Sequence, residues 1–386
     1  MTLTKDISRE VLDTLDKQKG KMLEFLKELV HLESPSNNVA LQHQILELLE
    51  KTLTKMGYFT LRIKGSETGG SLYARPLHRQ KGIPFQLLIG HCDTVWPEGT
   101  LAGMPVTEND TTLRGPGVYD MKAGITQIIY ALKTLQSIQQ KLPFVPVILF
   151  NTDEEIGSND STRTIRCLAR KAARAYVLEP PLGTDGKLKT ARKGIGRFTI
   201  TVQGVAAHAG LDPDKGVNAI VELSHQVQKL YAMNDHNRGI TVNIGTIEGG
   251  ISPNVVAPIS KAVIDVRVLT KADGEDITKR IFELKPLNKE VTLNVEGGIG
   301  RPPMERTYRN KELWELARRE GRRLGLELEE AVAGGGSDAN TTSLYTATID
   351  GLGTPGDGAH ASREYILKNK LIERTALLSL LLMAAP

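Results

Sequence analysis

Cysteine and aromatic residues are scarce in this chain, and neither a single sign of charge nor a long apolar segment dominates it. Two cysteines, Cys92 and Cys167, are too few for a disulfide framework, so nothing requires an oxidising compartment. Basic residues exceed acidic ones by only 49 to 45, too small an excess in 386 residues to indicate a nucleic-acid or membrane surface. We therefore expect small-molecule partners, no nucleic acid and no membrane.

Export and membrane-insertion signals are also missing from the sequence. The N-terminus, MTLTKD, lacks the basic stretch and following apolar run of a secretory signal. The apolar stretch at 375–386 has about 12 residues, short of the ~20 that span a bilayer, and it predicts a buried terminal helix. We therefore expect a cytoplasmic protein.

Most of the chain alternates between helical and strand-like patterns. The length suggests two domains, and the 40% hydrophobic content is enough for a sizeable core. Helical periodicity predicts helices at 7–30, 41–56, 121–135 and 162–171. Short apolar runs predict strands at 58–63, 72–74, 85–89, 145–150 and 176–178. This order predicts an α/β sheet, whose chemistry usually lies in loops past the carboxyl ends of the strands.

Residues 191–301 follow a different order of elements, β-α-β-β-α-β. The predicted strands are 197–203, 240–248, 261–269 and 290–295, and the helices are 217–231 and 276–284. This order is that of a ferredoxin-like unit. The first pattern resumes afterwards with a helix at 311–324. We predict a discontinuous α/β catalytic domain, 1–190 and 302–386, with a ferredoxin-like domain inserted at 191–301.

Two predicted strands end in residues that suit a metal site. Residues two apart on extended backbone point the same way, so Asp93 can hydrogen-bond the far ring nitrogen of a metal-bound His91. The second strand ends in Asp153, Glu154 and Glu155, whose mutual repulsion a divalent cation would relieve. Neighbouring side chains diverge, so one glutamate can bind metal while the other faces the reacting water. A strand-capping histidine and an acidic surface loop are the alternatives.

Three further residues have both a functional and an ordinary interpretation. Asp120 lies in a Gly/Pro loop directly before a helix, where it could simply be an N-cap. Glu179 follows a third strand and His360 lies in a glycine-rich loop, and each alone is more typical of a loop residue than of a ligand. Together, however, two histidines and three carboxylates past strand ends, with one acid to spare, are the residues of a two-metal hydrolytic site.

Seven motifs together resemble the M20 family of dinuclear zinc peptidases and deacylases, in its glutamate carboxypeptidase branch. They are HCDTV at 91–95, DMKAG at 120–124, DEEIG at 153–157, LEP at 178–180, AHAG at 207–210, GGGSDA at 334–339 and GAH at 358–360. They occur in the family's order. The inserted unit also falls where the family has its lid and dimerisation domain.

The resemblance implies a zinc-peptidase-like catalytic domain that binds two Zn²⁺ ions per subunit, with Co²⁺ or Mn²⁺ as possible substitutes. The implied ligands are Asp120 as the bridge, Glu155 and His360 at one ion, and His91 and Glu179 at the other. Glu154 would be the general base and Asp93 would orient His91. The family also has a cis peptide bond after the residue that corresponds to Asp120.

The inserted domain would supply the remaining residues. His208 resembles the lid histidine that reaches into the partner subunit's site in a homodimer, with a surface-loop histidine as the alternative. Arginine and backbone N–H groups suit a substrate carboxylate. The residues that resemble this clamp are Asn254, Arg267 and Gly335, with Arg301 and Lys193 as further candidates. A structural salt bridge is the alternative for Arg267.

These expectations describe a metal-dependent hydrolase that cleaves the amide bond next to a C-terminal amino acid, glutamate or a similar residue. An N-acyl-amino-acid deacylase is the alternative within the same chemistry. Glu179 favours both over the family's dipeptidases and aminopeptidases, which typically carry aspartate at this position. A metal-free binding module is the alternative from another class, although such a module would be expected to lack a ligand or the base.

Overall fold

The computed structural model describes residues 7–79 and 82–385, and the chain divides into two compact units. The first unit comprises Met1–Thr190, Arg306–Val332 and Ser337–Pro386, and the second comprises Ala191–Glu305 and Ala333–Gly336. The second unit therefore contains the predicted insertion at 191–301 and also part of the glycine-rich segment that follows it in sequence.

The longer helices lie where the 3.6-residue apolar period predicts them, whereas the two short helices, Thr100–Gly103 and Asp338–Thr342, were not predicted. Within the described residues they are α1 (Ile7–His31), α2 (Val39–Lys55), α3 (Thr100–Gly103), α4 (Ala123–Ser137), α5 (Thr162–Ala169), α6 (Ala219–Tyr231), α7 (Lys271–Phe282), α8 (Tyr308–Arg322), α9 (Asp338–Thr342) and α10 (Lys368–Met383). The terminal helix α10 begins earlier than predicted and is largely buried. In the part of the chain that the structure describes, no helix combines the length and the apolarity that a membrane span needs.

The strands of residues 7–79 and 82–385 belong to four sheets. They are β1 (Tyr58–Ile63), β2 (Ser71–Pro76), β3 (Phe85–His91), β4 (Thr107–Glu108), β5 (Thr112–Arg114), β6 (Val145–Asn151), β7 (Ala172–Val177), β8 (Leu188–Arg192), β9 (Gly194–Gln203), β10 (Thr241–Gly249), β11 (Ile259–Val268), β12 (Thr292–Arg301), β13 (Glu330–Ala333), β14 (Ala347–Ile349), β15 (Gly356–Asp357) and β16 (Tyr365–Leu367). Each of the five strands predicted before residue 190 overlaps an observed strand.

The main sheet of the first unit has the order β1-β2-β6-β3-β7-β14. Strands β6, β3, β7 and β14 run parallel, and β1 and β2 form an antiparallel edge. All seven residues of β6 are buried, which explains the uninterrupted apolar run of this strand. Helices α1, α4 and α10 pack against one another and share one apolar core with the sheet. The carboxyl ends of β3, β6 and β7 therefore lie at the same edge of the sheet.

A smaller antiparallel sheet of the first unit has the order β15-β16-β5-β4. In it, Ile366 on β16 lies opposite Leu113 on β5, and Gly356 on β15 lies opposite Ile366. Strand β5 leads into the segment that carries Asp120, and the connection from β15 to β16 carries His360. This sheet therefore holds two of the predicted ligand loops next to each other.

The second unit has the element order β9-α6-β10-β11-α7-β12, which confirms the ferredoxin-like prediction. Its sheet is antiparallel with the order β10-β11-β9-β12, so β10 is an edge strand. The strands alternate between buried and exposed positions because helices α6 and α7 cover one face. The side chains of Asn218 and Thr270 cap the first turns of these helices.

Candidate metal centre

Parallel strand pairing brings the predicted ligands to one edge of the main sheet. His91 on β3 lies opposite Asn151, the last residue of β6, and the acidic segment 153–155 follows directly. On the other side of β3, Ile89 lies opposite Val177, two residues before Glu179. The turn of the chain after each strand thus carries a candidate ligand into the same region.

The candidate ligands form two groups that share Asp120. His91 Nε2 lies 3.1 Å from Asp120 Oδ1 and 3.5 Å from Glu179 Oε1. His360 Nε2 lies 3.1 Å from Glu155 Oε2 and 3.5 Å from Asp120 Oδ2. In each group one donor atom per residue lies within 4.8 Å of the others. The two oxygens of Asp120 therefore face different histidines, which is the geometry of a bridging carboxylate.

Glycines shape the loop that carries Asp120. Gly117 has φ +73°, and a Cβ there would lie 2.5 Å from Thr94 Cγ2. A Cβ at Gly124, in the first turn of α4, would collide with the main-chain oxygen of Leu178. Glycine at 124 therefore lets α4 begin against the segment that leads to Glu179. The Asp120–Met121 peptide bond is cis, as the family resemblance implies.

The electrostatics of the site are those of crowded buried carboxylates with two histidines. Burial alone would lower the pKa of His91, but its acidic neighbours hold that pKa well above its ordinary value. Burial raises the pKa of Glu155, whereas the two histidines lower that of Asp120 despite its burial. Hydrogen bonds with Asp120 and Glu155 raise the pKa of His360 to about 10. Positive charge therefore stabilises this set of acids.

Divalent cations fit this donor set. Imidazole nitrogen and carboxylate oxygen are ligands that suit zinc and its neighbours, and they bind metal in their deprotonated forms. Glu155 Oε1 is buried and has no hydrogen-bond partner, so one carboxylate oxygen in the shared region remains available as a ligand. The histidines differ in environment, because the side chain of His91 is 1% exposed and that of His360 is 52% exposed.

Asp93 contacts the far ring nitrogen of His91 through both its main chain and its carboxylate. His91 Nδ1 lies 3.0 Å from the main-chain oxygen of Asp93 and 3.4 Å from its carboxylate Oδ1. The carboxylate accepts hydrogen bonds from Ser36 Oγ at 2.7 Å and from the N–H groups of Glu154 and Glu155 at 3.3 and 3.2 Å. Asp93 therefore also holds the backbone of the acidic segment, a contact between distant residues that the tripeptide pattern does not reveal.

Asp153, the first acid of the segment 153–155, faces the turn that follows it. Its Oδ2 accepts hydrogen bonds from the N–H groups of Asp160 and Ser161 at 2.8 and 3.0 Å. Burial raises the pKa of Asp153 to about 6. Asp153 belongs to neither ligand group within the described residues, so its contacts support the turn and not a metal ion.

Comparison with known proteins identifies the family. Residues 190–285 match the peptidase dimerisation domain of the M20 family. Carboxypeptidase G2 of Pseudomonas sp. (strain RS-16) is 30% identical over 355 residues, which cover 89% of this chain and 84% of that protein. The chain belongs to the M20 family. It is accordingly a metallopeptidase, a hydrolase of peptide bonds.

Solved structures of M20-like proteins share the fold. Aminopeptidase PepT of Bacillus cereus matches with a TM-score of 0.80 and 22% identity, over 95% of this chain and 98% of that one. A Bacillus subtilis protein described as a dinuclear metal binding peptidase from the M20 family matches with a TM-score of 0.70 and 15% identity, again over 95% and 98%. At these identities the two structures support only the fold of this M20 chain, and not its substrate.

In the second unit of this M20 protein, the candidate clamp arginines Arg267 and Arg301 lie beside the glycine-rich segment. Arg267 on β11 and Arg301 on β12 both lie opposite Ile195 of β9, so they share one face of the sheet. Arg267 Nη1 lies 3.4 Å from the main-chain oxygen of Gly334, and a Cβ at Gly336 would lie 2.8 Å from Arg301 Cδ. Arg267 also forms an ion pair with Asp265 at 2.7 Å.

The glycine segment is anchored by residues at the start of β9. The main-chain N–H of Lys193 donates to Ala333 O at 2.9 Å. Lys193 therefore contacts the chain two residues before Gly335, which is exposed. Arg192, which is 3% exposed, donates from Nη1 to the main-chain oxygens of Gly335 and Gly336 at 3.1 and 2.8 Å. Sequence reasoning missed Arg192, because no local pattern distinguishes it from Lys193.

His208 and Asn254 are neighbours in another part of the second unit. The segment around His208 pairs with the segment around Val255, and the N–H of Ala209 donates to Asn254 O at 2.9 Å. His208 Nδ1 accepts hydrogen bonds from the N–H groups of Gly210 and Leu211 at 3.2 and 3.1 Å. In a neutral ring the hydrogen is then on Nε2, so exposed His208 is a hydrogen-bond donor at its outer nitrogen.

Metal analysis tests the shared role of Asp120. We expect wild-type protein to bind two divalent ions per chain and Asp120→Asn to bind both ions more weakly. His360→Ala should lose only the ion that Asp120, Glu155 and His360 would hold. Inductively coupled plasma mass spectrometry after dialysis against Zn²⁺ measures the stoichiometry. His78→Ala, a histidine deletion at an exposed loop position, should leave two ions. Loss of both ions in His360→Ala would contradict the division into two groups.

Proposed function

We propose that this M20 metallopeptidase is a dinuclear metal carboxypeptidase that removes a C-terminal amino acid, glutamate or a similar residue, from a peptide or N-acyl conjugate. The sharing of Asp120 between two ligand groups carries the hydrolytic part of the proposal. The 30% identity to a protein named carboxypeptidase G2 supports removal of the C-terminal residue. The same residues would also serve an N-acyl-amino-acid deacylase, which differs only in the group that precedes the cleaved amide.

Two zinc ions suit the ligands of this centre, and Co²⁺ or Mn²⁺ would use the same donors. One ion would be held by His91 and Glu179, the other by Glu155 and His360, with Asp120 between them. When bound, such ions polarise the amide carbonyl as Lewis acids and lower the pKa of water. The fold's contribution is to keep five donor groups close together despite the mutual repulsion of three carboxylates.

Glu154 is the general base in this proposal. It precedes the ligand Glu155 in a short 3₁₀ turn, and its charge contributes to the raised pKa of Glu155, so the two carboxylates are near each other. The N–H groups of both residues are bonded to Asp93, which fixes the backbone of this segment. Glu154 would take a proton from the attacking water and return it to the leaving nitrogen of the amide.

Isosteric variants separate the base from the ligand. Glu154→Gln should keep both ions and bind substrate but lose about 10²–10⁴-fold in kcat, because an amide cannot accept the proton. Glu155→Gln should lose one ion instead. Metal content and steady-state kinetics measure the two effects, with exposed Glu47→Gln as the matched control. An exchange of the two phenotypes would reverse the assignment.

The substrate's terminal carboxylate would be bound in the second unit. Arg267 and Arg301 share a sheet face beside the glycine segment, and guanidinium and main-chain N–H groups suit a carboxylate. The Arg267–Asp265 ion pair would orient the Arg267 guanidinium towards this segment. Asn254, Lys193 and Gly335 are the further candidate contacts. A carboxypeptidase and a deacylase both need such a clamp.

A substrate panel tests the carboxylate clamp and separates the two candidate activities. Dipeptides and N-acyl amino acids with varied C-terminal residues should be cleaved with a free carboxylate and not as C-terminal amides. Arg267→Gln should lower kcat/KM by about 10–100-fold, because a charge-assisted hydrogen bond contributes about 1.5–3 kcal/mol. Arg197→Gln, at an exposed position on β9, is the control. Equal cleavage of amidated substrates would contradict carboxylate recognition.

We further propose a homodimer formed through the second unit, in which His208 acts on the partner subunit's site. The match of residues 190–285 to a dimerisation domain supports the assembly, and β10 offers an unpaired sheet edge to a second copy. None of the described ligands and base is an obvious donor for the tetrahedral oxyanion, which needs one, an interaction commonly worth ~3–4 kcal/mol. The outer Nε2–H of His208 would be that donor.

Hybrid dimers test this arrangement. His208→Ala and Glu154→Gln should each be inactive alone, and mixing them should restore activity, because each hybrid contains one site with both an intact base and an intact histidine. Activity after mixing is compared with each variant mixed with itself, and subunit exchange is verified by mass spectrometry of differently labelled chains. Exchange without recovery, or an active monomer by light scattering, would contradict action across the interface.

A further inference from the structure

A buried carboxylate that belongs to neither ligand group, that of Glu364, accepts four hydrogen bonds. Its Oε2 accepts from the N–H of Gly117 at 2.9 Å and from Trp96 Nε1 at 2.8 Å. Its Oε1 accepts from the N–H groups of Tyr119 and Asp120 at 2.9 and 3.1 Å. Glu364 is 0% exposed, and a buried anion is stable only when it is bonded in this way.

Three of the four donors belong to the loop that presents the bridging ligand. This loop runs from Gly117 to Asp120, and these N–H groups point to one side chain that is more than 240 residues away in sequence. Buried main-chain donors need partners, so the loop conformation depends on an acceptor at this point. The carboxylate of Glu364 supplies it and thereby fixes the main chain of Asp120.

Glu364 is also fixed relative to the second histidine. His360 and Glu364 lie in one tight loop, in which Ala361 N donates to Gly358 O at 2.8 Å and Glu364 N donates to Ala361 O at 2.9 Å. Gly358 has φ +85°, and a Cβ there would lie 2.9 Å from the nitrogen of Glu364. The side chain of Glu364 therefore joins the loop of His360 to the loop of Asp120.

We propose that Glu364 is a positioning residue for the dinuclear centre. It holds the main chain of Asp120 so that the two carboxylate oxygens face different ions, and it keeps the loop of His360 in place beside it. This inference rests on the proposed metal centre. Because Asp120 belongs to both ligand groups, loss of the Glu364 contacts should weaken the binding of both ions, whereas loss of His360 should weaken one.

A merely structural role would have a different signature. If Glu364 only stabilised the fold, its replacement would lower the melting temperature equally with and without metal, and the metal dissociation constants would not change. Glutamine at this position has nearly the same shape, but its NH₂ group cannot accept, so the N–H donors facing it lose their acceptor. Aspartate retains the charge and is one methylene shorter, so it should preserve part of the function.

The test compares Zn²⁺ affinity in four variants of the full chain by competition with a chromophoric chelator. For Glu364→Gln we expect both dissociation constants to rise by about 10–100-fold, the usual effect of losing a group that orients a ligand. Glu364→Asp and Trp96→Phe, which removes only one donor, should give smaller increases. Glu315→Gln, an exposed glutamate paired with Arg318, should change nothing. Activity of Glu364→Gln should recover as Zn²⁺ or Co²⁺ is raised.

The outcomes separate this inference from the proposed function. Wild-type binding of two ions with unchanged affinity in Glu364→Gln would overturn the positioning role and leave the proposed function intact. Weakening of one ion only would also overturn it. Wild-type protein that binds no divalent ion would overturn the proposed function and this inference together. Should Glu364→Gln fail to fold, unchanged affinities in both Glu364→Asp and Trp96→Phe would overturn the positioning role.

Discussion

The mutual repulsion of acids that must lie close together is the constraint on which the first unit depends. Asp120 turns one carboxylate oxygen towards each of two histidines, and Glu155 and Glu179 complete the groups around it. Such an arrangement does not form by side-chain attraction alone, since each acid raises the free energy of the next. The backbone must therefore be held from outside the ligand set, by contacts that do not involve the metal.

Two non-ligand carboxylates provide this support in the same way. Asp93 accepts from the N–H groups of Glu154 and Glu155, and Glu364 accepts from those of Gly117, Tyr119 and Asp120. In both cases a buried anion is stabilised by main-chain donors, and the donors belong to a segment that carries a ligand or the proposed base. The candidate ligands are thus surrounded by further buried acids, which belong to neither ligand group but hold the backbone of the ligand segments.

Local patterns predicted a large part of this molecule. Apolar periodicity located the longer helices and five strands of the main sheet, and the element order of residues 191–301 predicted the ferredoxin-like sheet. Parallel pairing explains why His91, the segment of Glu155, and Glu179 could be expected at one edge, because residues that follow adjacent parallel strands must meet there.

Contacts between distant segments were not predictable by such reasoning. The four donors to Glu364 come from residues 96–120, and a glutamate before a short strand has no local feature that indicates them. Asp93 shows the same limit. Its spacing from His91 predicted the contact with the ring, which the carboxylate makes at 3.4 Å, but not the hydrogen bonds from Ser36 and from the N–H groups of Glu154 and Glu155. Sequence spacing constrains neighbours along a strand but not the partner across the fold.

The glycine-rich segment 334–336 belongs with Ala333 to the second unit, although Val332 and Ser337 on either side belong to the first. The segment is held by the N–H of Lys193 at Ala333 and by the guanidinium of Arg192 at Gly335 and Gly336. The candidate carboxylate-binding residues Arg267 and Arg301 therefore share one compact unit with this segment. The contacts described for the ligand loops of the first unit come instead from Asp93 and Glu364.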